Sequence, residues 1–155
     1  MEKGVRIKEG LRGDGLRVGV VCARWNARCT NSLKDQVIAG LIERGVMRSN
    51  VVEYEVAGSF ELVHASSVLI EKEGVDVVIP IGVLIKGDTL HFEYIAEAVT
   101  HGLMRLQQEK NIPIIFAILT CLTEDQAVER SVGPKSHGDA WAATAIEMGL
   151  LAKDD

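Results

Sequence analysis

A three-layer α/β domain around a four-stranded parallel sheet is the fold class that the sequence predicts. Short β-branched runs alternate with longer segments of helical apolar spacing, and a strand returning parallel to its neighbour needs a crossover of this kind. Right-handed crossovers then place helices on both faces of the sheet. At 155 residues, 47% hydrophobic and 25% charged, the chain has an ordinary globular composition and the length of one core. No fixed repeat or low-complexity tract points to a solenoid or a linker.

Residues 1–16 are charged and carry Gly4, Gly10, Gly13 and Gly15, with only Val5 and Ile7 alternating in a strand-like way. They read as an N-terminal arm, and residues 17–155 as the domain. Arg17 to Cys22 (RVGVVC) is the first strand, apolar enough to be buried on both faces. The first helix follows, with Asn31 and Ser32 as candidate N-caps, Leu33, Val37 and Leu41 at four-residue spacing, and Gly45 as the stop. Val51 to Val56 is the second strand, and from Phe60 to Glu73 the residues Leu62, Ala65 and Leu69 share one helical face before Gly74. Asp76 to Val83 is the third strand. Leu90 to Lys110 repeats Phe92, Ile95, Val99, Leu103 and Leu106 over about five helical turns and ends at Asn111. Ile112 to Leu119 is the fourth strand, Thr123 with Gln126 resembles a capping box opening a helix to about Arg130, and Asp139 to Lys153 is the last helix.

Charge and cysteine usage narrow the partners. Lys and Arg number 17 against 22 Asp and Glu, a formal charge of -5, which disfavours nucleic acid. The apolar runs around Val77 to Ile85 and Ile112 to Leu119 contain Pro80 and Pro113 and fall short of the ~18 residues that span a bilayer, so no membrane partner is expected. Met1 to Arg6 lacks the apolar stretch of a secretory leader, and the three cysteines, Cys22, Cys29 and Cys121, have neither pairing number nor metal spacing. A cytoplasmic setting with free thiols is the expectation.

In open parallel sheets ligands bind beyond the carboxyl ends of the strands, where helix N-termini turn their N–H groups into the crevice. Four segments qualify and are expected to share one edge: Arg24-Trp25-Asn26, Ala57-Gly58-Ser59-Phe60-Glu61, Ile85-Lys86-Gly87-Asp88-Thr89-Leu90-His91, and Thr120 to Arg130. In the third, Gly87 permits close backbone approach, Thr89 can cap, and free N–H groups with the helix dipole suit an anion. A phosphate site and a plain capped turn both fit that pattern, and Asp88 repels phosphate unless it turns away or caps the helix. His91 lies in the first helical turn, where the dipole favours neutral imidazole; it suits proton transfer, or it is a surface histidine bonded to a carbonyl. Trp25 is either a stacking platform for a flat heterocycle or a packing lid. Glu61 is either a polyol acceptor or ordinary helix-start acid, and Arg130 either a phosphate clamp or a surface cation at a helix C-terminus. By pattern alone Phe116 is core and Trp141 is core or interface. No His or Cys spacing supports a metal centre.

Two α/β alternatives fall away on absent residues. Ala23 to Ser32 (ARWNARCTNS) has no glycine with which to cradle a dinucleotide phosphate after strand one, and Arg17 to Asn26 has no acidic residue for a phosphoacceptor centre.

At these segments the sequence resembles lumazine synthase, and more closely its fungal members. The strings that carry the resemblance are Ala23-Arg24-Trp25-Asn26, Val56 to Glu61, Ile81 to Tyr94 (IGVLIKGDTLHFEY), Ile118-Leu119-Thr120, and His137-Gly138 followed by Trp141, within a similarity running from about residue 17 to 150. The resemblance implies a flavodoxin-like strand order and a condensation of 5-amino-6-ribitylamino-uracil with 3,4-dihydroxy-2-butanone 4-phosphate. The products are 6,7-dimethyl-8-ribityllumazine, phosphate and water, as a step of riboflavin biosynthesis, with no metal or organic cofactor.

By the same resemblance Trp25 stacks on the pyrimidine, and Asn26, Ser59 and Glu61, with Gly58 and Phe60 beside them, hold the ring and ribityl hydroxyls. Backbone around Val83, Leu84, Ile85 and Lys86 reads the uracil edge. Gly87, Asp88 and Thr89 with Arg130 hold the phosphate, and His91 shuttles protons. The resemblance further implies homopentamers with sites between neighbouring subunits, where Phe116 enters from the adjacent chain and the N-terminal arm adds a strand to a neighbour. The connection Ser131 to His137 is shorter than its fungal counterpart and contains Pro134; in the family it bears on whether pentamers assemble further. A container without catalysis and a flavin or lumazine carrier are the other classes considered, and Trp25, Glu61, His91 and Arg130 together favour the enzyme.

Overall fold

The computed structural model describes residues 6–153, so the strand-like reading of Val5 lies outside the described residues. Four parallel strands, β1 (Val18–Ala23), β2 (Val51–Val56), β3 (Val77–Ile85) and β4 (Ala117–Cys121), stand in the order β2-β1-β3-β4. Val18 faces Val51 on one side and Val77 on the other, and Ile81 faces Ala117. The helices are α1 (Ala27–Glu43), α2 (Leu62–Glu73), α3 (His91–Lys110), α4 (Glu124–Ser131) and α5 (Gly138–Lys153).

All of β1 is buried, as its two-faced apolar run requires. Val18, Val20 and Cys22 point to the layer of α1 and α5, where Leu33, Val37, Leu41, Ala142, Ala145 and Ile146 meet them. Val21 and Ala23 point the other way, to Leu62 and Leu69 of α2 and Val99 and Leu103 of α3. Each fully buried Val or Leu here contributes about 1.5–3 kcal/mol, so both faces of the sheet are anchored independently. Leu16 is fully buried in the first of these cores, and the Gly13 N–H donates to Arg44 O at 2.8 Å, which fastens the residues just before β1 to the end of α1. No described helix is long and apolar enough to cross a membrane.

Helix α1 starts at Ala27, before the expected caps Asn31 and Ser32, which lie inside it. The turn is made by Asn26, whose backbone is left-handed (φ 59°), a conformation asparagine tolerates better than most residues. Ser32 is used elsewhere, its hydroxyl donating to Ser131 O at 3.0 Å. The segment after β2 begins as a 3₁₀ turn, Ser59–Glu61, and becomes α-helical at Leu62. Strand β3 runs on to Ile85, and α3 opens at His91 with Leu90 before it and the Thr89 hydroxyl accepting from the His91 N–H at 3.4 Å. At α4, Thr123 caps as expected by accepting from the Gln126 N–H, and Gln126 Oε1 accepts from the Leu122 N–H.

The fourth strand begins five residues later than the apolar run from Ile112 suggests, at Ala117, and the cause lies in its neighbour. The Val78 N–H donates to Pro113 O, and the Ile115 N–H donates to Val78 O, but the next donor on β3 would be Pro80, which has none. Ile115 O instead accepts from the Ala117 N–H at 2.8 Å, a local tightening of the chain. Phe116 sits within that tightening and is 45% exposed, so its reading as core is corrected.

Candidate active site

From β1 the chain moves outward to β2, and from β3 it moves outward in the opposite direction to β4, so a crevice opens where the two paths diverge. Three loops converge there on a cleft of about 490 Å³, within the range of small-molecule sites. Trp25 and Asn26 come from the end of β1, Gly58, Ser59, Phe60 and Glu61 from the end of β2, Val83, Leu84 and Ile85 from the end of β3, and His91 and Ile95 from α3.

The cleft walls are held by contacts between these loops. Asn26 donates its side-chain N–H to Val83 O at 2.8 Å, which ties the first loop to the third and leaves its amide oxygen for a ligand. The Trp25 N–H donates to Ala57 O at 3.1 Å, while its indole is 71% exposed. A Cβ on Gly58 would stand 2.9 Å from Trp25 Cδ1, so glycine there sets where the indole lies. Ser59 is buried over Gly82, where a Cβ would come within 2.4 Å of its hydroxyl oxygen. Glu61 Oε1 accepts from the Gly58 N–H at 3.0 Å and the Glu61 N–H donates to Gly58 O at 3.2 Å. That reciprocal pair explains the acid at the helix start and leaves the other carboxylate oxygen for the cleft.

Lys86, Gly87, Asp88 and Thr89 are exposed and form the turn from β3 to α3 beside the cleft, outside its lining. The Lys86 N–H donates to Cys121 O at 2.8 Å at the end of the β3/β4 ladder. Its ammonium pairs with Glu93 in the first turn of α3 and lies 5.9 Å from the centre of the Phe92 ring. That pairing, with the Glu93 backbone, holds the Glu93 carboxyl below the usual carboxylate range. Asp88 does not cap α3; the hydroxyl of Thr89 does.

The fourth segment shares the sheet edge without entering this cleft. Arg130 donates to Gln126 O at 3.2 Å and lies 3.6 Å from Glu129, and neither Arg130 nor Phe116 is among the lining residues. Trp141 is half-buried against the α1/α5 core, with the His137 ring 5.6 Å away. Ile95 is a wall residue that the site reading missed, although its place one turn after His91 on α3 puts both on the same helical face. Among the described residues no group of three or more His, Cys, Asp or Glu is arranged to hold a metal ion.

An indole face, an imidazole, a carboxylate and backbone polar groups around a largely apolar cleft can take a flat, hydrogen-bonding ligand and move protons on it. Comparison with known proteins gives the same direction. The family described as 6,7-dimethyl-8-ribityllumazine synthase matches residues 15–153. A protein of that name from Schizosaccharomyces pombe is 43% identical over 145 residues, covering 92% of this chain and 91% of its own. One from Porphyromonas gingivalis is 41% identical over 142 residues, with 91% and 88% covered, and one from Aquifex aeolicus is 40% identical over 152 residues, with 96% and 98% covered. Because the match takes in every strand and helix, and with them all three loops of the cleft, the chain belongs to the 6,7-dimethyl-8-ribityllumazine synthase family.

Proposed function

We propose that the chain condenses 5-amino-6-ribitylamino-uracil with 3,4-dihydroxy-2-butanone 4-phosphate, releasing phosphate and water, as a step of riboflavin biosynthesis. The observation that carries this reading is the convergence of Trp25, Asn26, Ser59, Glu61, Val83 to Ile85 and His91 on one cleft. Trp25 stacks on the pyrimidine, the backbone around Val83, Leu84, Ile85 and Lys86 reads its edge, and Asn26, Ser59 and the free oxygen of Glu61 hold hydroxyls. The N–H groups at Gly87, Asp88 and Thr89 receive the phosphate.

The 5-amino group attacks the ketone carbon, water leaves as the imine forms, phosphate is eliminated, and the ribitylamino nitrogen adds to the remaining carbonyl and closes the ring with loss of a second water. Each step moves a proton and none needs a strong nucleophile, so orientation supplies most of the rate and His91 the proton relay. The site is proposed to act without metal or organic cofactor and to lie in the cytoplasm with the rest of a soluble pathway.

A homopentamer with shared sites is part of the same proposal. Phe116 and Arg130 stand at the sheet edge outside their own chain's cleft, where they can complete the site of a neighbouring copy. Supporting this, a groove of about 470 Å³ between α2 and α3, where Phe60, Val63, Val99, Gly102 and Leu106 are joined by the polar His64, Ser67, Arg105 and Glu109, shares Phe60 with the cleft. Mixing the purified protein with both substrates and following lumazine absorbance tests the reaction; product is expected, and its absence with authentic substrates overturns the reading.

A further inference from the structure

Between the end of β3 and the first turn of α3 the chain makes a sharp turn with few internal ties. Among the described residues, the N–H groups of Gly87, Asp88 and Thr89 find no hydrogen-bond partner, and the one cap, from His91 N to the Thr89 hydroxyl, is long. A turn with free donors suits an anion only if it is already folded when the anion arrives, since ordering it afterwards weakens binding.

Two side chains span this turn. The Lys86 ammonium, at its entrance, reaches the Glu93 carboxylate, in the first helical turn beyond it, and lies over Phe92. Glu93 Oε2 is buried with no hydrogen-bond partner, so the carboxylate is committed through its other oxygen to Lys86. The backbone of Lys86 is fixed independently by its bond to Cys121 O, and Glu93 is fixed by α3. The ion pair therefore closes residues 87–90 into a loop between two rigid points, and it also neutralises the one cation in the turn.

We propose that Lys86 and Glu93 form a latch that preorganises the 87–90 turn for the phosphate of the phosphorylated substrate. This rests on the function proposed above and assigns to both side chains positioning roles that act through the turn. Since His91 is in the same helical turn as Glu93, the latch also fixes the entry angle of α3 beneath the imidazole.

The test is steady-state kinetics on Glu93→Gln, Lys86→Met and the exchanged pair Lys86→Glu with Glu93→Lys, varying each substrate in turn. A latch predicts that both single variants raise KM for the phosphorylated substrate by about three- to tenfold, with KM for the amine within about twofold, and that the exchanged pair recovers most of the loss. If Lys86 is instead a direct phosphate ligand that Glu93 restrains, Glu93→Gln lowers that KM, which overturns the proposal, as does an unchanged KM in both single variants. Far-UV circular dichroism verifies folding, and the near-isosteric Glu93→Gln keeps the test alive if Lys86→Met unfolds. A titration with inorganic phosphate, read by amide NMR shifts at residues 87–89, needs no turnover. It is expected to bind the wild type more tightly than Glu93→Gln, and equal binding overturns the latch even where the proposed reaction fails.

Discussion

His91 lines the cleft from the first turn of α3, one helical turn from Ile95, and is exposed. Its proposed task is to carry protons between groups that the walls already hold in place, so His91→Ala is expected to lower turnover by roughly 10²-fold or less, read from initial rates. Undiminished turnover removes His91 from the mechanism. Gly82 tests the opposite kind of residue, one that touches no ligand. A methyl group there meets the Ser59 hydroxyl at 2.4 Å and Leu62 at 3.0 Å, so Gly82→Ala is expected to cost about 1–3 kcal/mol in urea unfolding and to raise KM as Ser59 shifts. Most of the cleft was legible residue by residue, because Trp25, Asn26 and the run from Gly58 to Glu61 directly follow strands, where a parallel sheet delivers its ligand-facing groups. Less legible was how these groups are shared: Asn26 commits its amide N–H to Val83 O of another loop and Glu61 commits one oxygen to the Gly58 N–H of its own, and only coordinates reveal that division.

Helix α1 ends beside the start of α5, and Arg44 joins them through a two-pronged pair with Asp139 at 2.8 and 3.0 Å. The guanidinium holds the Asp139 carboxyl below its usual range, against a smaller opposing effect of burial. A carboxyl lowered on folding contributes stability that is complete above its unfolded value of about 3.9 and lost as pH falls through the folded value. Asp139→Asn is therefore expected to unfold more easily at neutral pH, by about 0.3–1 kcal/mol because more than half of this side chain is in water, with the deficit vanishing in strong acid. Urea melts at the two extremes of pH measure it, and a deficit independent of pH contradicts it. Periodicity located α1, α2 and α3, since Leu33, Val37 and Leu41 or Val99, Leu103 and Leu106 declare one face each, while short apolar runs marked the strands and a capping box marked α4. It failed at two joints. A left-handed asparagine replaced the glycine or side-chain cap that usually marks a helix start, and the late beginning of β4 was written in a proline on a different strand. Neither cause is local to the segment it changes.

For the whole molecule, the proposed sharing of sites makes a sharp demand. If Arg130 serves a neighbour's cleft, Arg130→Ala raises KM for the phosphorylated substrate, and His91→Ala and Arg130→Ala damage different ends of one site. Unfolding the two variants together and refolding the mixture is then expected to restore part of the activity, because some clefts inherit an intact residue from each parent. Mixtures no better than the average of the two parents place Arg130 and His91 in the same subunit's site, and an Arg130→Ala variant with unchanged kinetics returns Arg130 to a surface role. The missing N–H of Pro80 bears on the same question from the interior of the sheet. It denies Ile115 O its ladder partner, so Phe116, 45% exposed, lies in a break between the Val78–Ile114 bridge and the pairing that resumes in the same register at Ala117. If sites are shared as proposed, that break in the ladder is what presents the ring to a neighbouring copy. Pro80→Ala is accordingly expected to restore the missing ladder bond, draw the ring in and loosen the proposed assembly, visible as dissociation at higher protein concentration in sedimentation, and an assembly as tenacious as the parent's would mean that the ring is presented to no partner.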